Sequence, residues 1–288
     1  MAGLDTVYGR VGRARREFRA CDTTFVADCR GVRAASAVAA AERSVRRLER
    51  RLDAFDESSA VSRLNSDGVV TDEHVAAVVR RGLAYYRRTD GVFDIHQGNV
   101  ERDLKAYLRG DRESPPGTFR TGRVSVDGDR VEADCRLDLN GLAKGYIVDA
   151  AASALDGVGR RGFVSGGGDM SPPTGPVAIE SPYGDERPLK TLSTDWCVAT
   201  SGGYRRTRDG TDHVYDPTSE RLGTRHDSVT VVARRDCMAA DALATTLAAL
   251  PLEAALSLAE GWSGVEALVV HDGVFHTTAG FEHHVLGP

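Results

Sequence analysis

RLDLNGLAKGYIVDAAASAL (136–155) reads as a short strand that runs straight into a helix. The strand ends at Asp138 and the helix begins near Gly141, with Asn140 in a capping position. Backbone N–H groups at such a start lack intrahelical partners and favour an anion. Lys144 in the first turn opposes the helix dipole, a penalty of about 0.3–1 kcal/mol that a nearby phosphate or carboxylate removes. Gly141 and Gly145 permit close approach of a ligand or a neighbouring helix. An ordinary strand–helix junction with a solvated lysine fits the same residues, so this stretch alone leaves both readings open.

Upstream, RACDTTFVADC (19–29) has strand composition. In residues 34–55, Val38, Ala41, Val45, Leu48 and Leu52 recur at three- and four-residue steps. That spacing predicts a helix whose arginines face solvent. Residues 56–68 are polar and turn-rich, and Thr71 or Asp72 then caps a helix over 74–89. A loop follows over 91–100, a short helix after it is compatible with the pattern, and 124–133 alternates around Asp127-Gly128 as a hairpin does. Downstream, 163–170 is a strand entering a glycine-rich turn, and 177–181, 196–200 and 228–234 are further strands. Helices over 239–250 and 252–261 are separated by Pro251, and 266–278 closes the chain as a hairpin. Helices early and strands late give the α+β class, with mixed or antiparallel sheets flanked by helices. Residues 1–18 read as an N-terminal extension and 19–288 as a single domain.

The 288 residues are 41% apolar and 27% charged, which excludes disorder, and the net charge of −5 gives no footing for nucleic acid. An arginine run over 43–51 is the one feature favouring such a partner, and a solvated helix face accounts for it. Only Lys105, Lys144 and Lys190 are lysines among 37 basic residues. Five scattered cysteines without CxxC spacing argue against a disulfide framework or a zinc site. No secretory h-region or membrane-spanning run is evident, so a soluble, cytoplasmic protein is expected.

Four further groups could carry chemistry. Asp241 and Thr245 stand one helical turn apart and present a carboxylate and a hydroxyl on one face, which suits Mg²⁺; a dipole complement and a packing threonine fit equally. GGGD (166–169) follows a strand, but Met170-Ser171-Pro172-Pro173 opens no helix, so the run is no dinucleotide fingerprint. His213 stands between Asp212 and Asp216, which could orient it as a general base, or it is a surface histidine. Phe93 and Asp94 offer an aromatic wall and a hydrogen-bonding edge to a planar ring, or Phe93 is a core anchor.

Taken in order, RACDTTF (19–25), RLDAFDESSAVSRLN (51–65), TDGVFD (89–94), LDLNGLAKGYIVDAAASAL (137–155), FVSGGGDM (163–170), VATSGGY (198–204), DHVYDP (212–217) and SVTVVARRDCMAADALATTLAAL (228–250) resemble the FAD:protein FMN transferase (ApbE-type) family. The resemblance implies a two-lobed α+β fold with FAD in the cleft between lobes and Mg²⁺ on its pyrophosphate. It implies that Asp241, the Thr245 hydroxyl and the Gly141 carbonyl hold the metal. Asp138 and Lys144 would contact FAD, and Phe55, Val92, Phe93 and Asp94 would line the flavin or adenine pocket. His213 would be the base, with Val214 beside it on the cofactor. The activity implied is Mg²⁺-dependent transfer of FMN from FAD to a Thr or Ser hydroxyl of a partner flavoprotein subunit, releasing AMP. An FAD pyrophosphatase and a non-catalytic FAD-binding protein are the alternatives. The chain departs from the family pattern at Cys21-Asp22 (usually Met-Gly), at Phe55 (usually Tyr) and at Thr218-Ser219-Glu220 (usually Arg-Thr-Gly).

Overall fold

Residues 13–30 fold back on themselves at Cys21-Asp22. The computed structural model describes residues 12–156, 160–185, 187–203 and 207–287; most of the expected N-terminal extension and Tyr204 lie outside that set. Strands β1 (Arg13–Ala20) and β2 (Thr23–Arg30) pair antiparallel from Arg13↔Arg30 to Ala20↔Thr23. Cys21 and Asp22 have φ of 50° and 55°, as a two-residue hairpin turn of this hand requires. The strand expected over 19–29 is therefore two strands and a turn, and residues 13–18 belong to the sheet rather than to an extension. Arginines hide the alternation. Phe18 and Ala20 are buried, while Arg16 donates to Glu42 at 2.6 Å and Arg46 lies over the Phe18 ring.

The main sheet has the order β1-β2-β6-β7-β10-β13-β14-β15. Its later strands are β6 (Arg160–Gly166), β7 (Asp169–Met170), β10 (Cys197–Ser201), β13 (Ser228–Ala233), β14 (Val265–His271) and β15 (Val274–Thr277). Every neighbouring pair is antiparallel. Helices α1 (Ala34–Leu52), α5 (Asn140–Asp156) and α6 (Cys237–Ala249) pack together on this sheet, with α7 (Leu252–Glu260) against β14. Helix α6 is apolar nearly all round, and Thr245 alone among its residues escapes full burial. A smaller core of Val198, Val232, Leu268 and Val270 is closed by Ile179 and Leu192, from the ribbon of β8 (Val177–Ile179) and β9 (Lys190–Leu192), and by Phe281 of a 3-10 turn.

A three-stranded sheet, β3 (Val69–Thr71), β5 (Arg130–Ala133) and β4 (Val124–Asp127), packs with α2 (Ala60–Asp67) and α3 (Glu73–Arg88), and α4 (Gly98–Arg109) follows. A two-stranded pair, β11 (Tyr215–Asp216) and β12 (Arg221–Leu222), completes the α+β architecture. Helix α2 occupies the stretch expected to be turns: Ser59 accepts from Ser62 N–H, and Gly68 at φ 76° ends the helix. Residues 136–138 are not a ladder strand. The Asn65 side-chain amide stands in for a neighbouring strand, accepting from Leu137 N–H at 2.7 Å and donating to its carbonyl at 3.2 Å. Among the described residues, no helix is long and apolar enough to cross a membrane.

Candidate active site

The ends of α1, the 92–94 loop, α4, the start of α5, the β6–β7 turn, β10, residues 213–215 and α6 enclose a cleft of about 1430 Å³. Each residue that the family resemblance assigned to the site lines it: Phe55, Val92, Phe93, Asp94, Asp138, Gly141, Lys144, His213, Val214, Asp241 and Thr245.

Lys144 is the electrostatic centre. Its Nζ donates to the Asp169 carboxylate and, at 3.2 Å, to Asp241 Oδ1. Asp241 Oδ2 accepts from Gly145 N–H at 3.0 Å. Carboxylates from two other elements thus meet the cation at the start of α5, cancelling its dipole penalty. Burial opposes the charge on Lys144, yet Asp169 and Asp241 together raise its pKa above the ordinary lysine value. Burial and the neighbouring Asp241 push the Asp169 carboxyl well above its usual range, against the pull of Lys144. Two buried carboxylates share one ammonium, and a further positive charge would relieve their repulsion.

The seam between α5 and α6 fixes this geometry. Asp149 of α5 accepts from the N–H groups of Cys237 and Met238 at 2.8 and 3.0 Å, so one helix caps the start of the other. Burial pushes the Asp149 carboxyl up to about 6, and the two backbone donors oppose that rise. The helices nearly touch at Gly145, where a Cβ would lie 2.6 Å from Met238 Cα. Two turns further along α6, Thr245 Oγ1 lies 3.5 Å from Ser201 Oγ. A Cβ on Gly141 would lie 3.7 Å from Thr245 Cγ2 and 2.9 Å from Phe93 Cε2. The start of α5, the Phe93 loop and Thr245 therefore converge on one spot.

Asp138 does the work expected of Asn140 at the helix start. The helix begins at Asn140 itself, and Asp138 Oδ1 accepts from its backbone N–H at 2.9 Å and its Nδ2 at 2.8 Å. Tyr215 donates its hydroxyl to Asp138 Oδ2 at 2.5 Å. Glu101 accepts from Asn140 Nδ2 at 3.0 Å and from Lys105 Nζ at 2.5 Å. Burial, then Asp138, pushes the Glu101 carboxyl up to about 7. Lys105 lies 4.2 Å above the half-exposed Phe55 ring.

Other expected residues keep their place in the cleft. Asp94 is tied to its own loop, accepting from His96 Nδ1 at 2.5 Å and Gln97 Nε2 at 2.7 Å. Phe93 is buried edge-on against Tyr85, so it is a core anchor that also lines the cleft. His213 is exposed. Its flanking acids serve turns: Asp212 accepts from Val214 and Thr224 N–H, and Asp216 from Thr218 and Ser219. Sequence reasoning missed Asp169, Glu101 and Tyr215 as site residues. Asp169 lay inside a quoted motif, and a carboxylate directly after a Gly-Gly turn was its available signal. Among the described residues, no group of three or more His, Cys, Asp or Glu is placed to hold a metal. A cation here would rest on one or two carboxylates and neutral oxygens, as Mg²⁺ does.

The ApbE family model matches residues 20–269. The FAD:protein FMN transferase of Vibrio cholerae is 27% identical over 250 residues, covering 76% of this chain and 75% of that protein. Among solved structures, the ApbE protein of Thermotoga maritima superposes with a TM-score of 0.84 at 23% identity, covering 96% of this chain and 100% of that one. The Pseudomonas stutzeri flavinyl transferase ApbE, apo form, gives 0.78 at 23% identity, covering 96% and 98%. The Vibrio cholerae flavin transferase ApbE gives 0.77 at 21%, covering 95% and 99%. At these identities the solved structures establish the fold.

Proposed function

This chain belongs to the ApbE family over residues 20–269, and from that premise we propose that it transfers FMN from FAD to a Thr or Ser hydroxyl of an acceptor flavoprotein. The observation that carries the reading is Lys144 held between Asp169 and Asp241 at the start of α5, inside a cleft with aromatic walls. An ammonium at the positive end of a helix suits a diphosphate, and Phe55 and Phe93 suit a planar ring.

The donors present fit Mg²⁺. Asp241, the Thr245 hydroxyl and the Gly141 carbonyl are hard oxygens on facing elements. When bound there, Mg²⁺ supplies neutralisation of the charge that builds on the diphosphate as AMP leaves. Lys144 and the start of α5 would hold the same diphosphate, and Asp138, Val92, Asp94 and Val214 shape the pocket for the rest of FAD. His213 accepts the proton of the acceptor hydroxyl, whose oxygen bonds to the FMN phosphorus as the bond to the AMP phosphate breaks. Water in place of the hydroxyl yields free FMN and AMP from the same site. Five free cysteines fit work in a reducing, cytoplasmic setting.

The test is incubation with FAD, Mg²⁺ and a candidate acceptor protein. Expected are a fluorescent acceptor heavier by one FMN less a water and an equal amount of AMP. Free FMN alone assigns the hydrolase reading, and FAD bound but uncut assigns a binding protein. Full activity in Asp241→Ala removes the metal assignment.

A further inference from the structure

Resting on that reading, we propose that Glu101 recognises one of the two rings of FAD, its Oε2 accepting a hydrogen bond from an N–H at the edge of that ring. Nothing in the chemistry above uses this residue of α4. The two donors that reach it take the same oxygen: Asn140 Nδ2 lies 3.0 Å and Lys105 Nζ 2.5 Å from Oε1. An ionised carboxylate offers about four acceptor sites over its two oxygens, so the capacity of Oε2 is left unused. Among the described residues, Gln97 Oε1 alone is a buried side-chain polar atom without a partner. Glu101 Oε2 is therefore not sealed in, although the residue is only 6% exposed. The space that Glu101 borders is the cleft.

The setting suits a ring edge. Lys105 Nζ also lies 4.2 Å from the centroid of the Phe55 ring, and Arg109, one turn further along α4, lies 5.5 Å from it. Glu101 and Phe55 thus share Lys105, which places the carboxylate beside an aromatic wall fit for a planar ring. On its other side Glu101 is tied to Asn140, the first residue of α5, where the proposed function seats the diphosphate. An acceptor beside an ammonium complements a donor beside an acceptor. Both rings of FAD carry that pair: the flavin N3–H between two carbonyls, and the adenine amino group next to N1. A buried carboxylate with an open oxygen bears a desolvation cost that a ligand donor offsets. Burial, then Asp138, raises this carboxyl to about 7, in keeping with an oxygen that still lacks its donor.

Glu101→Gln reverses the polarity of this contact and keeps its size. Lys105 and Asn140 are both donors, so the amide oxygen stays with them and the NH₂ group takes the place of Oε2. Fluorescence titration of the full chain reads FAD affinity at pH 8, where a carboxyl that titrates at about 7 is ionised. Mg²⁺ is omitted so that FAD stays intact. Two analogues serve as probes: FAD methylated at flavin N3, and FAD with hypoxanthine in place of adenine. Expected is FAD binding roughly 10- to 100-fold weaker in the variant, as for a lost hydrogen bond to a charged group. That loss should vanish for one analogue, the N3-methyl form if the flavin edge is read and the hypoxanthine form if the adenine edge is read. A variant that binds FAD within about twofold of the unaltered protein overturns the proposal. So does a loss of equal size for all three ligands, which is what a contact to sugar hydroxyls or a merely structural role gives. If the variant does not fold, the unaltered protein decides: one analogue bound at least roughly tenfold more weakly than FAD upholds the proposal, and a smaller effect of both overturns it. None of these outcomes touches the flavin reading, which fails instead if the unaltered protein binds no FAD with Mg²⁺ or without it.

Discussion

Adding a single methyl at Gly145 should disable the site without touching any ligand-facing group. The Cβ of Gly145→Ala would lie 2.6 Å from Met238 Cα, 2.7 Å from the Cys237 carbonyl oxygen and 2.8 Å from its carbon. All three are backbone, so no side chain can swing aside. Restoring an ordinary contact of 3.4 Å requires α5 and α6 to part by about 0.8 Å. Asp241 rides on α6, and its Oδ2 accepts from the N–H of Gly145 itself, so the same displacement opens the Asp241–Lys144 pair. Overpacking of this kind costs about 1–3 kcal/mol, which lowers Tm by roughly 2–5 °C in a chain of this size. A misplacement near 1 Å costs on the order of 100-fold in turnover. Thermal unfolding followed by tryptophan fluorescence reads the first, and AMP release from saturating FAD reads the second. Unchanged Tm and turnover in Gly145→Ala would refute the claim that this seam sets the site.

Thr245→Val keeps the shape of the side chain and loses the hydroxyl. Turnover should fall by at least roughly tenfold, with a higher Mg²⁺ requirement and little change in Tm; a titration of rate against Mg²⁺ checks it. Glu101 titrates near 7 in the folded chain, above its free value of 4.5, so the folded form holds an extra proton between those values. Its contribution to stability is full below pH 4.5, is lost as pH rises to 7, and is flat beyond, amounting to at most about 3 kcal/mol. Denaturant unfolding of Glu101→Gln across that window should lack this slope. Glu220 sits at φ 51°, where a side chain costs about 1–2 kcal/mol. Glu220→Gly should stabilise the fold by a net amount of up to about 1 kcal/mol after the entropy that glycine loses, read from the same unfolding curves.

Much of the architecture was legible because helices such as α1 and α3 wear their apolar stripes at regular spacing, and caps such as Asp72 announce their starts. The site was legible where a residue violated its local setting: Lys144 at the wrong pole of a helix and Asp241 in an otherwise apolar one. What could not be read depended on partners distant in sequence. Strand β1 hides its alternation because Arg16 reaches over to Glu42. Residues 136–138 look like a strand but are held by the side chain of Asn65. Asp169 acquires its importance only once the β6–β7 hairpin brings it to Lys144. The acids near His213 in sequence accept turn N–H groups, a duty that nearness along the chain could not announce.

The departures from the family pattern at Cys21-Asp22 and Glu220 also become intelligible as backbone facts. All three positions adopt positive φ, the conformation in which the family's glycines at two of them are at ease, and aspartate tolerates it better than most residues. The turns are kept even though glycine is not.

Diffraction from crystals grown with FAD and Mn²⁺, a Mg²⁺ surrogate visible by its anomalous signal, tests the central claim most directly. One anomalous peak should stand between the Asp241 carboxylate and the FAD diphosphate, within coordination distance of Thr245 Oγ1. A peak elsewhere, or FAD seated in the cleft with its diphosphate turned away from the start of α5, would contradict it.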